Sequence, residues 1–375
     1  MGSTTPGPPP LTGFTVGVTA DRRRDELAAL LHRRGAEVVV APAMRIVPLA
    51  DDVLLRAATE ACLAGGLDYV VATTGVGWRA WVSAAEDWGA GEPLLAACRG
   101  AVLISRGPKT TGALRACGLR EGYAPGSEAL DEVLAWLLAR DLRGRRVAVQ
   151  EHGAPLTEFV AALRRQGASV VEVPVYRWGP PEDPYAVRRL AERTLRREVH
   201  ALPFTSAPAI EAFLAAAGRE ELLAALRHDV LPACIGPVCA RPLLSAGVPC
   251  VWPDRGRLGS LVRTLTRELI RRHRRELVTP AGLLTLQGTA VLTTDAVFRL
   301  PPLPAAVLSA LADRPGAVLS RAELLRRAWP GPSRRRPDEH AVEAAVGRLR
   351  TALGPYGHLV GTVTKRGYRL MAGGG

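Results

Sequence analysis

Arg348, Arg350, Lys365 and Arg366 lie close together near the C-terminal end of the chain, in a pattern that suits contact with nucleic acid. Val342, Val346, Leu349 and Leu353 recur at helical spacing, so His340 to Leu353 reads as a helix with one apolar face. That face is expected to be buried, leaving Arg348 and Arg350 to project from the remainder. Val363-Thr364-Lys365-Arg366-Gly367-Tyr368-Arg369-Leu370 follows as a short β-hairpin: β-branched residues, a Lys-Arg-Gly turn, then Tyr368 and Leu370 alternating inward. A helix that offers arginines beside a hairpin that offers Lys365 and Arg366 suits a major groove and its flanking phosphates.

A second set of polar residues sits at turns earlier in the chain. Short apolar runs alternate there with amphipathic helical segments, which implies parallel sheets covered by helices on both faces. The strand-to-helix turns carry Thr73, Thr74, Gly107, Lys109, Thr110, Thr205, Ser206 and Gly236. Ligands of such sheets bind at the carboxyl ends of the strands, where helix N-termini offer free N–H groups to anions. The set is therefore expected to line a cleft between two lobes that holds a polycarboxylate. Each residue taken singly could equally be an N-cap or a turn former.

These turns belong to an internal repeat. Asp25 to Pro42 recurs as Thr157 to Pro174, with Gly35 matching Gly167 at an offset of 132. The same offset pairs Thr73-Thr74 with Thr205-Ser206, and nearly the same offset sets Gly107-Pro108 beside Gly236-Pro237. Matches in one order at one spacing indicate a duplicated unit.

Charge and composition fit an anionic partner. The net charge is +13, and residues 271–375 hold 17 Lys+Arg against 7 Asp+Glu, so most of the excess lies in the segment with the helix and hairpin. The six cysteines are scattered with no close C-x-x-C pair, which argues against a disulfide framework and a zinc site; no metal or cofactor is expected. No apolar run is long enough for a membrane span and no signal peptide is evident, so a cytoplasmic location without membrane contact is expected.

The motifs of residues 13–272 resemble uroporphyrinogen-III synthase, the cofactor-free enzyme that closes hydroxymethylbilane while inverting its last pyrrole ring. They are Gly35-Ala36-Glu37-Val38, Tyr69-Val70-Val71-Ala72-Thr73-Thr74, Gly107-Pro108-Lys109-Thr110, Val173-Pro174-Val175-Tyr176, Phe204-Thr205-Ser206 and Ile235-Gly236-Pro237. The resemblance implies an α/β fold of two flavodoxin-like lobes, one from 13–46 and 177–275, the other from 49–174. Arg45 to Pro48 and Pro174 to Arg177 would be the connecting strands. It also implies that Tyr176, if the chain is active, is the proton donor or orienting group, and that a tetrapyrrole or another polycarboxylate is the ligand. Two departures predict slow or absent turnover. Val238-Cys239 replaces the usual hydroxyl pair after Gly236-Pro237, and Glu151 adds an acid where an anionic substrate would approach.

Residues 283–372 resemble the winged helix-turn-helix effector domain of OmpR/PhoB-type response regulators. Leu283–Leu286, Val291–Thr293 and Phe298–Leu300 would be strands, and Pro304–Ala312 the first helix. Ser320 with Glu323 forms a capping box for the second helix. The resemblance places Arg334, Arg335 and Arg336 in the loop before the recognition helix, Arg348 and Arg350 on that helix, and Thr364, Lys365 and Arg366 in the wing, with double-stranded DNA as partner.

The expected order is thus a disordered tail (1–12), the synthase-like body (13–275), a linker (276–282) and the winged helix (283–372). Bacterial fusions of this kind resemble regulators of nitrate and nitrite assimilation. That likeness implies a transcription regulator whose body senses a small molecule or docks a second regulator. The alternative is a bifunctional synthase that carries a DNA-binding domain.

Overall fold

The computed structural model describes residues 7–49, 53–329 and 338–373. Elements run in chain order. The first are β1 (Thr15–Val18), α1 (Arg24–His32) and β2 (Glu37–Val40). Next come β3 (Arg45–Pro48), α2 (Val53–Leu63), β4 (Tyr69–Ala72), α3 (Gly75–Asp87), α4 (Gly91–Arg99), β5 (Val102–Ser105) and α5 (Pro108–Ala116). They are followed by α6 (Leu130–Leu138), β6 (Arg146–Gln150), α7 (Thr157–Arg165), β7 (Ser169–Val173) and β8 (Tyr176–Gly179). Then α8 (Pro184–Leu195), β9 (Ala201–Phe204), α9 (Ala207–Ala215), α10 (Arg219–His228), β10 (Leu231–Cys234), α11 (Pro237–Ser245) and α12 (Leu258–His273). The tail holds β11 (Arg274–Thr279), β12 (Gly282–Gln287), β13 (Ala290–Leu292), β14 (Val297–Arg299), α13 (Pro302–Ala312), α14 (Arg321–Ala328), α15 (Glu339–Ala352), β15 (Val360–Val363) and β16 (Gly367–Leu370).

The chain forms two compact units, Met1–Met44 with Pro181–Gly375, and Arg45–Pro180. The second unit holds a parallel sheet in the order β5-β4-β6-β7. Its central strands are apolar on both sides, as a sheet covered on both faces requires. Val70, Ala72 and Ala148 enter a core with α2 to α5, while Val71, Val147 and Val149 enter a second core with α6 and α7. Antiparallel β3 and β8 pair in the same unit, with Pro48 opposite Tyr176.

The first unit holds a parallel sheet in the order β10-β9-β1-β2, again with a core on each face. Pro203 has no N–H to donate, and the pairing of β9 with β1 is limited to Val16 and Ala201. Through the repeat, β6, β7, β4 and β5 correspond to β1, β2, β9 and β10. Each sheet therefore takes two strands from each copy.

The tail packs a four-stranded antiparallel sheet, β11 to β14, with α13 to α15 and the β15–β16 hairpin around its own core. Ser320 and Glu323 form the capping box at the start of α14, with the Ser320 hydroxyl accepting from the Glu323 N–H and the Glu323 carboxylate accepting from the Ser320 N–H.

Two expected boundaries differ. Residues 276–282, expected as a linker, are most of β11 and its turn into β12, because Leu277 and Thr279 point alternately inward and α12 passes into β11 without a gap. Part of the expected disordered tail is ordered: Leu11 is fully buried, and its N–H donates to the Arg34 carbonyl at 2.7 Å.

That N-terminal segment also receives the β12–β13 turn. Gln287, almost wholly buried, donates to the carbonyls of Pro10 (3.1 Å) and Thr12 (2.8 Å). The Thr289 N–H and hydroxyl both donate to the Gly13 carbonyl, at 2.8 and 3.0 Å. Gly288 adopts φ +56, and a Cβ there would lie 2.3 Å from the Gly13 carbonyl oxygen, so only glycine fits the contact.

Candidate functional sites

In the second unit the ends of β4, β5 and β6 bring together residues that are distant in sequence. Thr73 is fully buried, and its hydroxyl donates to the Glu151 carbonyl at 3.5 Å. The Thr110 hydroxyl donates to the Thr73 carbonyl at 3.3 Å. The Thr74 hydroxyl accepts from the Gly77 N–H at 3.2 Å as the N-cap of α3, and from the Gln150 amide at 3.0 Å. These hydroxyls hold the turns at the ends of the strands. Lys109 is exposed on the first turn of α5. A Cβ on Gly75 would lie 2.4 Å from the Lys109 carbonyl oxygen, so glycine lets the first turns of α3 and α5 pack against each other. Gly107 precedes α5, and the Glu128 carboxyl lies over it: a Cβ on Gly107 would come within 3.1 Å of that group.

Arg106, Gln150 and His152 were not singled out by the sequence. Arg106 follows β5, is half-buried and faces both the Tyr176 phenol and the Glu128 carboxyl. Burial lowers its pKa, and those two groups oppose the shift. Among the described residues no side chain forms an ion pair or hydrogen bond with its guanidinium. Burial, then the charge of Arg106, pushes His152 down to about 4, so its imidazole is neutral near pH 7. His152 Nδ1 and Gln150 Oε1 are buried without a protein partner. Tyr176 is buried, 6% exposed, on β8. A half-buried cation, a phenol and a neutral imidazole can together bind a carboxylate and manage a proton. The only local signal was Arg106 next to Gly107-Pro108.

Glu151 was expected to oppose an anionic ligand. It is buried with its carboxyl near Glu172 and Arg177, and its pKa is raised by burial, then by Glu172, against the pull of Arg177.

In the first unit, Thr205 and Ser206 are half-buried at the end of β9, and Ser206 precedes α9 without a side-chain capping bond. Gly236 precedes α11 in extended backbone. Cys239 corrects an expectation. Its thiol points inward and donates to the Phe204 carbonyl at 3.5 Å, as the Thr110 hydroxyl points inward to Thr73 in the other unit. A hydroxyl at 239 would also face the interior, whereas Val238 is exposed, so the expected loss of a hydroxyl stands at 238 alone.

The tail presents a basic edge. Arg348 is exposed on α15, its side chain reaching only the Ala344 carbonyl at 3.4 Å. Thr364, Lys365 and Arg366 are exposed at the hairpin turn, with Arg369 exposed on β16. Arg350, expected to project with Arg348, instead turns back: Nε and Nη2 donate to the Val360 carbonyl at 2.9 and 2.6 Å, and Nη2 to Thr362 at 2.8 Å. It braces helix against wing, because its position on α15 faces β15 rather than solvent. Arg334, Arg335 and Arg336 lie outside the described residues. Glu339 and Glu343 on α15 are both paired with Arg321. No helix among the described residues is long and apolar enough to cross a membrane.

Two lobes with one sheet order, a phenol–guanidinium–imidazole group within the second of them, and a fused winged helix define a two-domain α/β protein of the tetrapyrrole-synthase architecture. The family model for uroporphyrinogen-III synthase HemD matches residues 25–263, and the chain belongs to that family. Its C-terminal domain is of the OmpR/PhoB-type winged-helix kind; the model for the C-terminal domain of transcriptional regulatory proteins matches residues 295–370. An uncharacterized protein, YjjA, of Bacillus subtilis is 29% identical over 265 residues, 68% of this chain and 96% of its own length. A putative uroporphyrinogen-III synthase of Methanothermobacter thermautotrophicus is 30% identical over 161 residues, 42% of this chain and 63% of its own length. A mutant uroporphyrinogen III synthase of Thermus thermophilus, solved by crystallography, is 30% identical, covers 69% of this chain and all of its own, and superposes with a TM-score of 0.61.

Proposed function

We propose that this chain is a bifunctional protein: a uroporphyrinogen-III synthase acting on hydroxymethylbilane, with a C-terminal domain that binds double-stranded DNA. The observation that carries the first part is Arg106, a half-buried guanidinium with no protein carboxylate bonded to it, facing Tyr176 and next to a neutral His152. The substrate is a polycarboxylate, and an arginine in this setting gives it a charge-assisted anchor. Tyr176 then orients or protonates the group lost when the bilane closes, with burial limiting competition from water. Of the replaced hydroxyl pair, Cys239 faces inward, which leaves exposed Val238 and the buried Glu151 as the grounds for slow turnover.

The second part rests on exposed Arg348, Lys365 and Arg366, with Arg369 beside them. One observation favours a regulatory role in addition. The seating of Gln287 and Thr289 on Pro10 to Gly13 ties the DNA-binding domain to the first lobe, so a ligand or a docked second regulator could alter DNA affinity. Nitrate and nitrite assimilation genes are the targets proposed for that role.

Purified full-length chain incubated with hydroxymethylbilane tests the main reading. Type III product should form at an enzymatic rate, roughly 1 per second or faster, and should collapse in Tyr176→Phe and Arg106→Met. Product of the non-inverted isomer alone refutes it.

A further inference from the structure

Three of the six cysteines, none used by the functions above, meet in the first lobe. Cys234 ends β10, fully buried, and shares one packed cluster with Cys239, against which Cys250 also packs. Backbone pairing places them. Ala233 and Val251 are partners in a parallel bridge, and the Cys234 N–H donates to the Val251 carbonyl at 2.8 Å. Cys234 and Cys250 thus lie one residue to either side of the bridge and project from the same face. Their access differs. Cys239 is buried, whereas Cys250 is half-buried and opens on a cavity of about 210 Å³ lined also by Val251, Trp252, Thr264, Arg267 and Glu268. That space is ample for a molecule of peroxide size, since one water occupies about 30 Å³ of liquid.

We infer that Cys250 and Cys234 form a redox pair that hydrogen peroxide converts to an intrachain disulfide. The Cys250 thiolate attacks one peroxide oxygen and the O–O bond breaks. The leaving oxygen departs as water, and Cys250 becomes a sulfenic acid. The Cys234 sulfur then attacks the Cys250 sulfur, breaking the S–O bond, and the hydroxyl leaves with the Cys234 proton as a second water. Two thiols and one peroxide give one disulfide and two waters. Hydrogen bonding from Cys234 lowers the pKa of Cys250 and so favours the attacking thiolate. Hydrogen bonds to Cys239 and then Cys250, together with burial, raise that of Cys234, so it stays a thiol and leaves the first attack on peroxide to Cys250. The parallel register makes the two cysteines diagonal neighbours, so closing the bond draws the loop before Val251 toward β10. Gly236 lies two residues after Cys234, so the bond would tether a turn that the synthase reading places at the ligand. That consequence rests on the proposed function, while the disulfide does not.

The test is oxidation of the full-length chain with equimolar hydrogen peroxide, alkylation of remaining thiols and peptide mapping by mass spectrometry. Two of the six thiols should disappear together, a Cys234–Cys250 linked peptide should appear, and dithiothreitol should reverse both. Cys250→Ser should abolish the change, and Cys117→Ser, at another half-buried cysteine, should leave it intact. Oxidation of Cys117 ahead of Cys250, or of Cys250 to a sulfinic acid with Cys234 still reduced, overturns the pair. Conversion of hydroxymethylbilane by oxidised and re-reduced protein is read in parallel. A mapped disulfide with unchanged conversion overturns the tether to the ligand turn, and absent conversion in the reduced protein overturns the synthase reading alone.

Discussion

Replacing Arg350 by alanine should destabilise the winged helix without altering its sequence preference, whereas Arg348→Ala should do the reverse. Arg350 makes three hydrogen bonds from one guanidinium, two of them to the carbonyl of Val360, a residue only 1% exposed. Its loss leaves that carbonyl without its charged donor and unties α15 from the wing. A hydrogen bond to a charged group contributes about 1.5–3 kcal/mol, and the bonds share one side chain, so a loss of about 2–3 kcal/mol is expected. The tail from 274 to 373 has its own core, so urea unfolding of that fragment is the assay. At a slope of about 1–2 kcal/mol per molar urea, the midpoint should fall by roughly 1–3 M. Arg348 is exposed with one long contact, so its replacement should change stability by no more than about 0.5 kcal/mol. If it reads a base edge, discrimination should drop by about 1–3 kcal/mol. Unchanged stability in Arg350→Ala, coupled with lost discrimination, would mean that the guanidinium leaves Val360 and reaches DNA, and the assignment of the two arginines would have to be exchanged.

Acid should weaken the body. His152 and His200 are each held near 4, the first mainly by burial and then by Arg106, the second mainly by burial and then by His273. The unfolded chain takes up those protons below about pH 6.5, but the folded chain resists until about 4, so stability falls as pH drops through that window and levels off beneath it. His152→Gln should flatten part of this slope in thermal melts, and an unchanged slope would show that the imidazole titrates normally. Gln287→Ala leaves the Pro10 and Thr12 carbonyls without their side-chain donor; amide exchange at Thr289 should quicken in the full chain, while the isolated tail shows no change. Cys239→Thr should leave hydroxymethylbilane conversion within about twofold, and a large gain would show that position 239 meets substrate after all. DNA affinity should decline steeply with salt as phosphate contacts release counterions; a flat response would remove the proposed DNA role.

The repeat, the alternation of apolar strands with amphipathic helices, the capping box of Ser320 and Glu323 and the basic helix–hairpin pattern were all legible in the sequence, because each is encoded within a few neighbouring residues or in a fixed spacing. Strand β11 was not, since only pairing with β12 reveals why Leu277 and Thr279 alternate inward. Nor was the seating of Gln287 on Pro10 and Thr12, contacts that span some 275 residues. The same limit governed the sites. The threonines at 73, 74 and 110 had the right types and positions for a ligand, but the hydroxyls of Thr73 and Thr110 donate to carbonyls of the fold and that of Thr74 caps α3. Arg106, His152 and Tyr176 carried no common motif. They meet because β5 and β6 flank β4 in the sheet while β8 returns alongside, and sheet order is a long-range property. Local sequence thus determined which elements form and which faces they bury, whereas the partner of each polar side chain, and with it the difference between a brace such as Arg350 and an exposed cation such as Arg348, was decided only when distant segments packed together.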